Sequence, residues 1–337
     1  MSAILFGSVT RLAELKWPFP FRALDRAEWA SGDFVVAEVL PGPPTAEGFE
    51  LPNGRTSAPH AGDLLVGAFA RRFATLETTG SFEDIRADDR MTCMTGGGCF
   101  GAVTSKSRFT SPMISLVYRG HVLRDGVKLT MSQFVPEPPD RTFDLPVVLL
   151  VGTSMSSGKT FSGRVVVRLL KELGHTVVAA KLTGAGRWQD TLSFLDAGAD
   201  FTFDFIDAGL PTTVVPEEEY RRAMSGLLAR MADTRATVAV IEAGASPLEP
   251  YNGGTLVDML EDHVAFTILA ASDPYAVHGI QVGWGKTFDL VAGPAANTRA
   301  GVALVHELAG LPSLDLLDVD THGSLRQRLE RAVGARG

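Results

Sequence analysis

VVLLVGTSMSSGKTFSGRVVVRLLKELG, residues 147–174, decides the fold. Its first six residues are uniformly apolar and rich in β-branched side chains, as in a strand buried on both faces. FSGRVVVRLLKELG repeats apolar residues at helical spacing and stops at a glycine. Between strand and helix lies Gly152-Thr153-Ser154-Met155-Ser156-Ser157-Gly158-Lys159-Thr160. A loop of that composition in that place lets backbone N–H groups cradle phosphate oxygens. It sets the Lys159 ammonium against the β and γ phosphates and offers the Thr160 hydroxyl to Mg²⁺.

Downstream, the alternation continues. TVVAAKL reads as the next strand, so the first three elements make a βαβ unit and imply a mainly parallel sheet. PEEEYRRAMSGLLARMADTR opens with Pro216 and three acids, a helix start, and leads into the strand ATVAVIEAG. VAFTILAAS and FDLVAG read as strands, RAGVALVHELAG as a helix ending at Gly310, and SLRQRLERAVG as a terminal helix.

Upstream the texture differs. DFVVAEVL, GDLLVGAF, FATLETTG, MISLVYRGHVL and VKLTMSQFV are short apolar runs broken by turn residues, which predicts a smaller β-rich domain. Pro136-Glu137-Pro138-Pro139-Asp140 continues neither strand nor helix and is the linker. Two domains are therefore expected, 1–140 and 146–337. With 337 residues, 45% hydrophobic and 21% charged, the composition is that of a globular protein. The net charge of −8 argues against nucleic acid as a partner. The beginning of the chain lacks a cationic, apolar signal, and no apolar run is long enough for a membrane span, so the expectation is cytoplasmic with no membrane partner. Cys93 and Cys99 are too few for a disulfide framework and lack zinc-site spacing; they read as reduced thiols beside Thr95-Gly96-Gly97-Gly98, a loop that either turns the chain or approaches a ligand closely.

A phosphate loop needs a second carboxylate at a neighbouring strand end, and Glu242 at the end of ATVAVI fills that place. Thr160, Glu242 and Asp190 are thus the candidate Mg²⁺ ligands, with Asp200 and Asp204 competing with Asp190. The segment from Lys181 to Asp190 is the expected substrate or γ-phosphate loop. There Lys181 and Arg187 would neutralise an anionic substrate and the charge developing in phosphoryl transfer. Asn297, after FDLVAG, would read a nucleobase or else cap the following helix, a role Thr298 shares. Asp273 to His278 lies at the same expected edge.

The loop resembles that of dethiobiotin synthetase, Gly-Thr-x4-Gly-Lys-Thr, and that of a P-loop family that includes D-glutamate N-acetyltransferase. Lys181 in AAKLTG stands where dethiobiotin synthetases carry a substrate-contacting lysine. IEAGASPLEP is similar to the Glu-Gly segments of both families, and DFIDAG and Tyr251-Asn252-Gly253-Gly254 to the second. Ser154 replaces their usual Asp, and Ala243 follows Glu242 in place of Gly. The likeness spans about residues 146–310. It implies a P-loop NTPase-like α/β fold with flanking helices, ATP and Mg²⁺ as cofactors, and a small-molecule substrate such as an amino acid or other carboxylate; a homo-oligomer is also expected. The reading is an ATP-dependent ligase, synthetase or kinase that activates a carboxylate or carbamate for attack by nitrogen. Two alternatives stand beside it: an N-acyltransferase holding acetyl-CoA in the same loop, and a non-catalytic nucleotide-binding module.

Overall fold

The computed structural model describes residues 2–42 and 48–334. The chain divides into two compact units. Unit 1 comprises Met1–Glu137, Ala185–Gln189 and Phe205–Val214; unit 2 comprises Pro138–Gly184, Asp190–Asp204 and Val215–Gly337.

Unit 2 is built on six strands in the order Phe201–Asp204, Val177–Thr183, Val238–Ala243, Val147–Gly152, Val264–Ala270, Leu290–Ala292, and every neighbouring pair is parallel. The strand that enters the phosphate loop is central and buried along its whole length, which is why it reads as an unbroken apolar run. Helices α1 (Lys159–Glu172), α2 (Trp188–Asp196), α3 (Glu217–Ala232), α4 (Gly253–Leu260), α5 (Pro274–Trp284), α6 (Arg299–Ala309) and α7 (His322–Gly334) connect the strands or follow them. Val166 and Leu170 of α1 pack with Leu150, Val240, Ile268 and, from α7, Leu325 and Leu329 in one core. Each such side chain contributes about 1.5–3 kcal/mol on burial. Gly163 sets how closely α1 lies on the sheet: a Cβ there would stand 2.6 Å from the Phe194 ring and 2.7 Å from Leu150.

Unit 1 holds a ten-stranded, mostly antiparallel sheet. Five of its strands form a closed ring: Leu64–Phe69, Phe34–Val39, Ser115–Arg124, Arg90–Cys93 and Cys99–Lys106, the last pairing back onto the first. Closure leaves those strands no exposed edge. Val35, Leu65, Phe69, Phe100, Leu116 and Tyr118 fill its core.

Three stretches differ from their sequence reading. FATLETTG belongs to a hairpin of Arg71–Ala74 and Thr78–Ser81, because Glu77 N–H bonds back to the Ala74 carbonyl and turns the chain. VKLTMSQFV is a strand only at Val127–Lys128; Met131–Phe134 is a 3-10 turn whose capping box pairs Thr130 with Gln133. The end of the expected 181–190 loop is already helix, since α2 begins at Trp188. Within unit 1 the Glu50 carboxylate accepts the first two amides of that helix, from Trp188 at 2.9 Å and Gln189 at 2.6 Å.

Candidate functional site

The chain leaves the central strand of unit 2 at Gly152 and enters α1 at Lys159, with Gly158 in the left-handed conformation (φ 94°) that the turn requires. Gly152 matters through close approach: a Cβ there would lie 2.5 Å from both the Lys159 ammonium and the Ser157 hydroxyl. Thr153 is anchored below the loop, its N–H on the Ala270 carbonyl at 3.1 Å and its hydroxyl accepting from Ser272 N–H at 3.2 Å.

Lys159 is buried. Its ammonium donates to the carbonyl of Ser154 at 2.6 Å and approaches the Met155 carbonyl and the Ser157 hydroxyl at 3.5 and 3.4 Å. Among the described residues the amides of Met155, Ser157 and Gly158 donate to no protein acceptor. The loop thus presents unclaimed N–H groups beside a cation hydrogen-bonded only to oxygens of the same loop, an arrangement suited to anionic oxygen. Burial lowers the Lys159 pKa from 10.5 to about 8, Glu242 opposing and Lys181 assisting that shift.

Glu242 is 2% exposed and accepts from the Thr160 hydroxyl at 3.0 Å. Burial raises its pKa, against the pull of Lys181, Lys159 and the Thr160 hydrogen bond. Parallel register explains how the charges meet: Lys181 is opposite Glu242 on one side and opposite Asp204 on the other. Burial works against the charge of Lys181, yet Asp190, Glu242 and Asp204 outweigh it and hold the ammonium above its ordinary pKa. The Lys181 ammonium forms an ion pair with Asp190 at 2.5 Å, while Asp204 accepts from Thr191 at 3.3 Å.

Thr160 and Glu242 therefore come together, and Asp190 sits on Lys181. Asp200 is elsewhere, salt-bridged to Lys171 at 2.6 Å. Arg187 belongs to unit 1, where its guanidinium donates to Gln189 at 3.3 Å near the charge of Glu50. Asp273 caps α5, accepting from Ala276 N–H at 2.9 Å, and His278 is exposed one turn on. Thr298, not Asn297, caps α6 by accepting from Gly301 N–H at 3.0 Å, so the Asn297 side chain is left without that duty.

The glycine loop near Cys99 is a packing device of unit 1. Thr95 donates to the Gly186 carbonyl at 2.9 Å, and a Cβ on Gly97 would stand 2.6 Å from that oxygen. Cys93 and Cys99 are buried thiols outside any disulfide, and burial pushes the Cys99 thiol up.

Sequence reasoning missed Glu50, a lone acid in a turn-rich stretch with no motif to announce it. Its pKa is raised by burial despite hydrogen bonds from Ser8, Trp188 and Gln189. Among the described residues no three His, Cys, Asp or Glu side chains form a metal cluster, and no helix is long and apolar enough to cross a membrane.

No protein-family model matches the sequence, and neither does any curated protein. Solved structures do resemble it. The hydrogenase maturation factor HypB of Archaeoglobus fulgidus is 13% identical, with TM-score 0.38, over 56% of this chain and 90% of its own. FtsY of Mycoplasma mycoides is 13% identical, with TM-score 0.39, over 58% and 70%. The signal recognition particle 54 kDa protein of Aeropyrum pernix, solved in complex with GDP, is 18% identical, with TM-score 0.32, over 58% of this chain and 47% of its own, so the match spans about half of that relative.

Proposed function

We propose that unit 2 binds a nucleoside triphosphate with Mg²⁺ and uses its terminal phosphoryl group to activate a small carboxylate or carbamate for attack by nitrogen. The observation that carries the proposal is the pairing of two features at one strand end. A buried lysine lies beside unclaimed loop amides, and a threonine hydroxyl is already bonded to a buried glutamate on the next strand. Phosphate oxygens satisfy the first feature. Thr160 and Glu242 are hard oxygen donors that suit Mg²⁺, which takes few protein ligands and keeps phosphate and water for the rest. Bound there, the metal would neutralise charge on the transferring phosphoryl group.

The chain's own groups do the positioning. Loop amides orient the phosphates, and the Lys159 ammonium exchanges the Ser154 carbonyl for a phosphate oxygen. Lys181 has three N–H donors and spends one on Asp190, so it keeps donors for an anionic acceptor, the role that the resemblance to dethiobiotin synthetase assigns to it. Asp190 serves in this reading to fix Lys181, and Asn297 to meet the nucleobase.

The acyltransferase alternative needs the amide cradle but not the metal seat, and the Thr160–Glu242 bond supports phosphoryl transfer over it. The test is Mg²⁺-dependent release of phosphate from nucleoside triphosphates by the full chain, with and without candidate amino acids, and with acetyl-CoA as the rival donor. Lys159→Ala should abolish turnover and weaken triphosphate binding in a protein that still unfolds cooperatively. Full activity in that variant sinks the reading.

A further inference from the structure

Beside the phosphate loop, unit 2 contains a cavity of about 200 Å³ that begins at Gly158 and is walled by Phe161, Pro294, Asn297, Asp315 and Leu317. Phe161 is 39% exposed and Leu317 67%, so each leaves an apolar face in water next to the opening. Flat apolar walls beside a phosphate cradle suit a purine ring.

The polar groups in the cavity carry the inference. Asp315 is held rigidly: its Oδ1 accepts from Leu317 N–H at 3.1 Å, and its carbonyl accepts from the Thr321 hydroxyl at 2.8 Å and from Asp318 N–H at 3.1 Å. Its second carboxylate oxygen has no partner among the described residues. Asn297 is exposed, and its side-chain amide is likewise unpaired there because Thr298 caps the helix. A carboxylate only accepts hydrogen bonds. Guanine offers it two adjacent donors, N1–H and the 2-amino group, and turns O6 and N7 as acceptors toward an amide donor such as that of Asn297. Adenine would turn the lone pair of N1 toward the same carboxylate. We infer that this cavity is a nucleobase site selective for guanine, with Asp315 as the residue that sets the selectivity, so that the nucleotide of unit 2 is GTP rather than ATP. The inference rests on the phosphate-binding reading of Gly152 to Thr160.

The experiment is calorimetric titration of the full chain with GTP, ATP and ITP, in the wild type, Asp315→Ala and Asp315→Asn; ITP is GTP without the 2-amino group. The wild type should bind GTP about 10- to 100-fold more tightly than ATP, the range of one bidentate contact. It should bind ITP roughly tenfold more weakly than GTP, the scale of one charge-assisted hydrogen bond. Asp315→Ala should remove the difference between GTP and ITP while ATP affinity changes little. Asp315→Asn keeps an acceptor for Leu317 N–H, preserves the turn and should also lose the preference, which separates base reading from unfolding. Wild-type binding of ATP as tight as that of GTP overturns the guanine inference and leaves the phosphate reading standing. Equal weakening of ATP and GTP in both variants overturns it too, because Asp315 would then touch ribose or only shape the loop. Binding of no nucleotide at all overturns the phosphate reading and this inference with it.

Discussion

The lowered pKa of Lys159 can be turned into a count of protons. In the empty protein this buried ammonium titrates near pH 8, against 10.5 for an ordinary lysine. A polyphosphate set against it would restore the charged form, so binding should take up a proton wherever the empty site has lost one. From a pKa of about 8 the uptake is roughly 0.1 proton at pH 7, 0.5 at pH 8 and 0.9 at pH 9. The terminal phosphate titrates near about pH 6, well below that window, and does not interfere. Lys181 stays protonated throughout because its pKa is raised. Affinity should accordingly fall toward tenfold per pH unit above pH 8, about 1.4 kcal/mol. The assay is Mg²⁺-free titration calorimetry at pH 8 and pH 9 in two buffers of different ionisation enthalpy, where the difference in heat gives the proton number. Zero uptake at both pH values would refute the reasoning, since Lys159 would then be charged already or would not meet the phosphates. The same linkage has a second sign. At this lysine the unfolded chain binds more protons than the folded one between about pH 8 and pH 10.5, so Lys159 contributes stability that grows as pH rises through that window, while the Cys99 thiol, raised by burial, contributes with the opposite sign.

Glu242→Gln removes the metal-seat charge while Gln can still accept from Thr160; nucleotide should bind but the Mg²⁺ requirement for turnover should rise tenfold or more, and wild-type rates across a Mg²⁺ titration would release Glu242 from that role. Lys181→Met leaves Asp190 and Glu242 without their shared cation, so urea unfolding should show a loss of about 3 kcal/mol as well as lowered kcat/KM for the acceptor; an unchanged midpoint would mean that the acids do not depend on it. Gly163→Ala raises helix propensity by about 1 kcal/mol, yet it should destabilise by about 1–3 kcal/mol net because its Cβ meets Phe194 and Leu150; a raised Tm would show that the core yields there. Glu50→Ala should cost about 2 kcal/mol, since it strands the first amides of α2 and the Ser8 hydroxyl, and an unaltered unfolding curve would show that water replaces it.

The parts of unit 2 written locally were the parts legible in the sequence. A six-residue, valine-rich apolar run that leads into the loop ending in Gly158-Lys159-Thr160 reads as a buried strand, and Pro216 and Gly310 bound their helices by backbone preference. Glu242 was legible because strand and strand end share one short stretch. Asp190 was harder: it meets Lys181 because α2 begins at Trp188, and no residue between Lys181 and Arg187 announces that helix start. Asp315 was invisible for a related reason. It lies in no motif and gains meaning only where the chain after α6 returns to the end of the phosphate loop, a long-range event that periodicity does not encode. In unit 1 the runs were found but their pairing was not, because the ring closes through Ala68 and Cys99, which no hairpin rule connects.

Unit 1 is assembled from three pieces of chain, and this has a consequence for how the protein is made. Arg11 pairs with Asp207 at 2.8 Å, the Cys99 thiol donates to the Pro211 carbonyl at 3.3 Å, and Ala185 bridges to Thr212. None of these partners exists when residue 137 has been synthesised. At about 5–20 residues per second, the last segment of unit 1 follows roughly 4–15 s later. During that interval the nascent ring carries Glu50 with no helix end to cap and Cys99 with no carbonyl to meet. A fragment ending at the proline-rich linker is held in the same unfinished condition, so cutting the gene at that linker would separate the two sequence textures without giving a complete first unit.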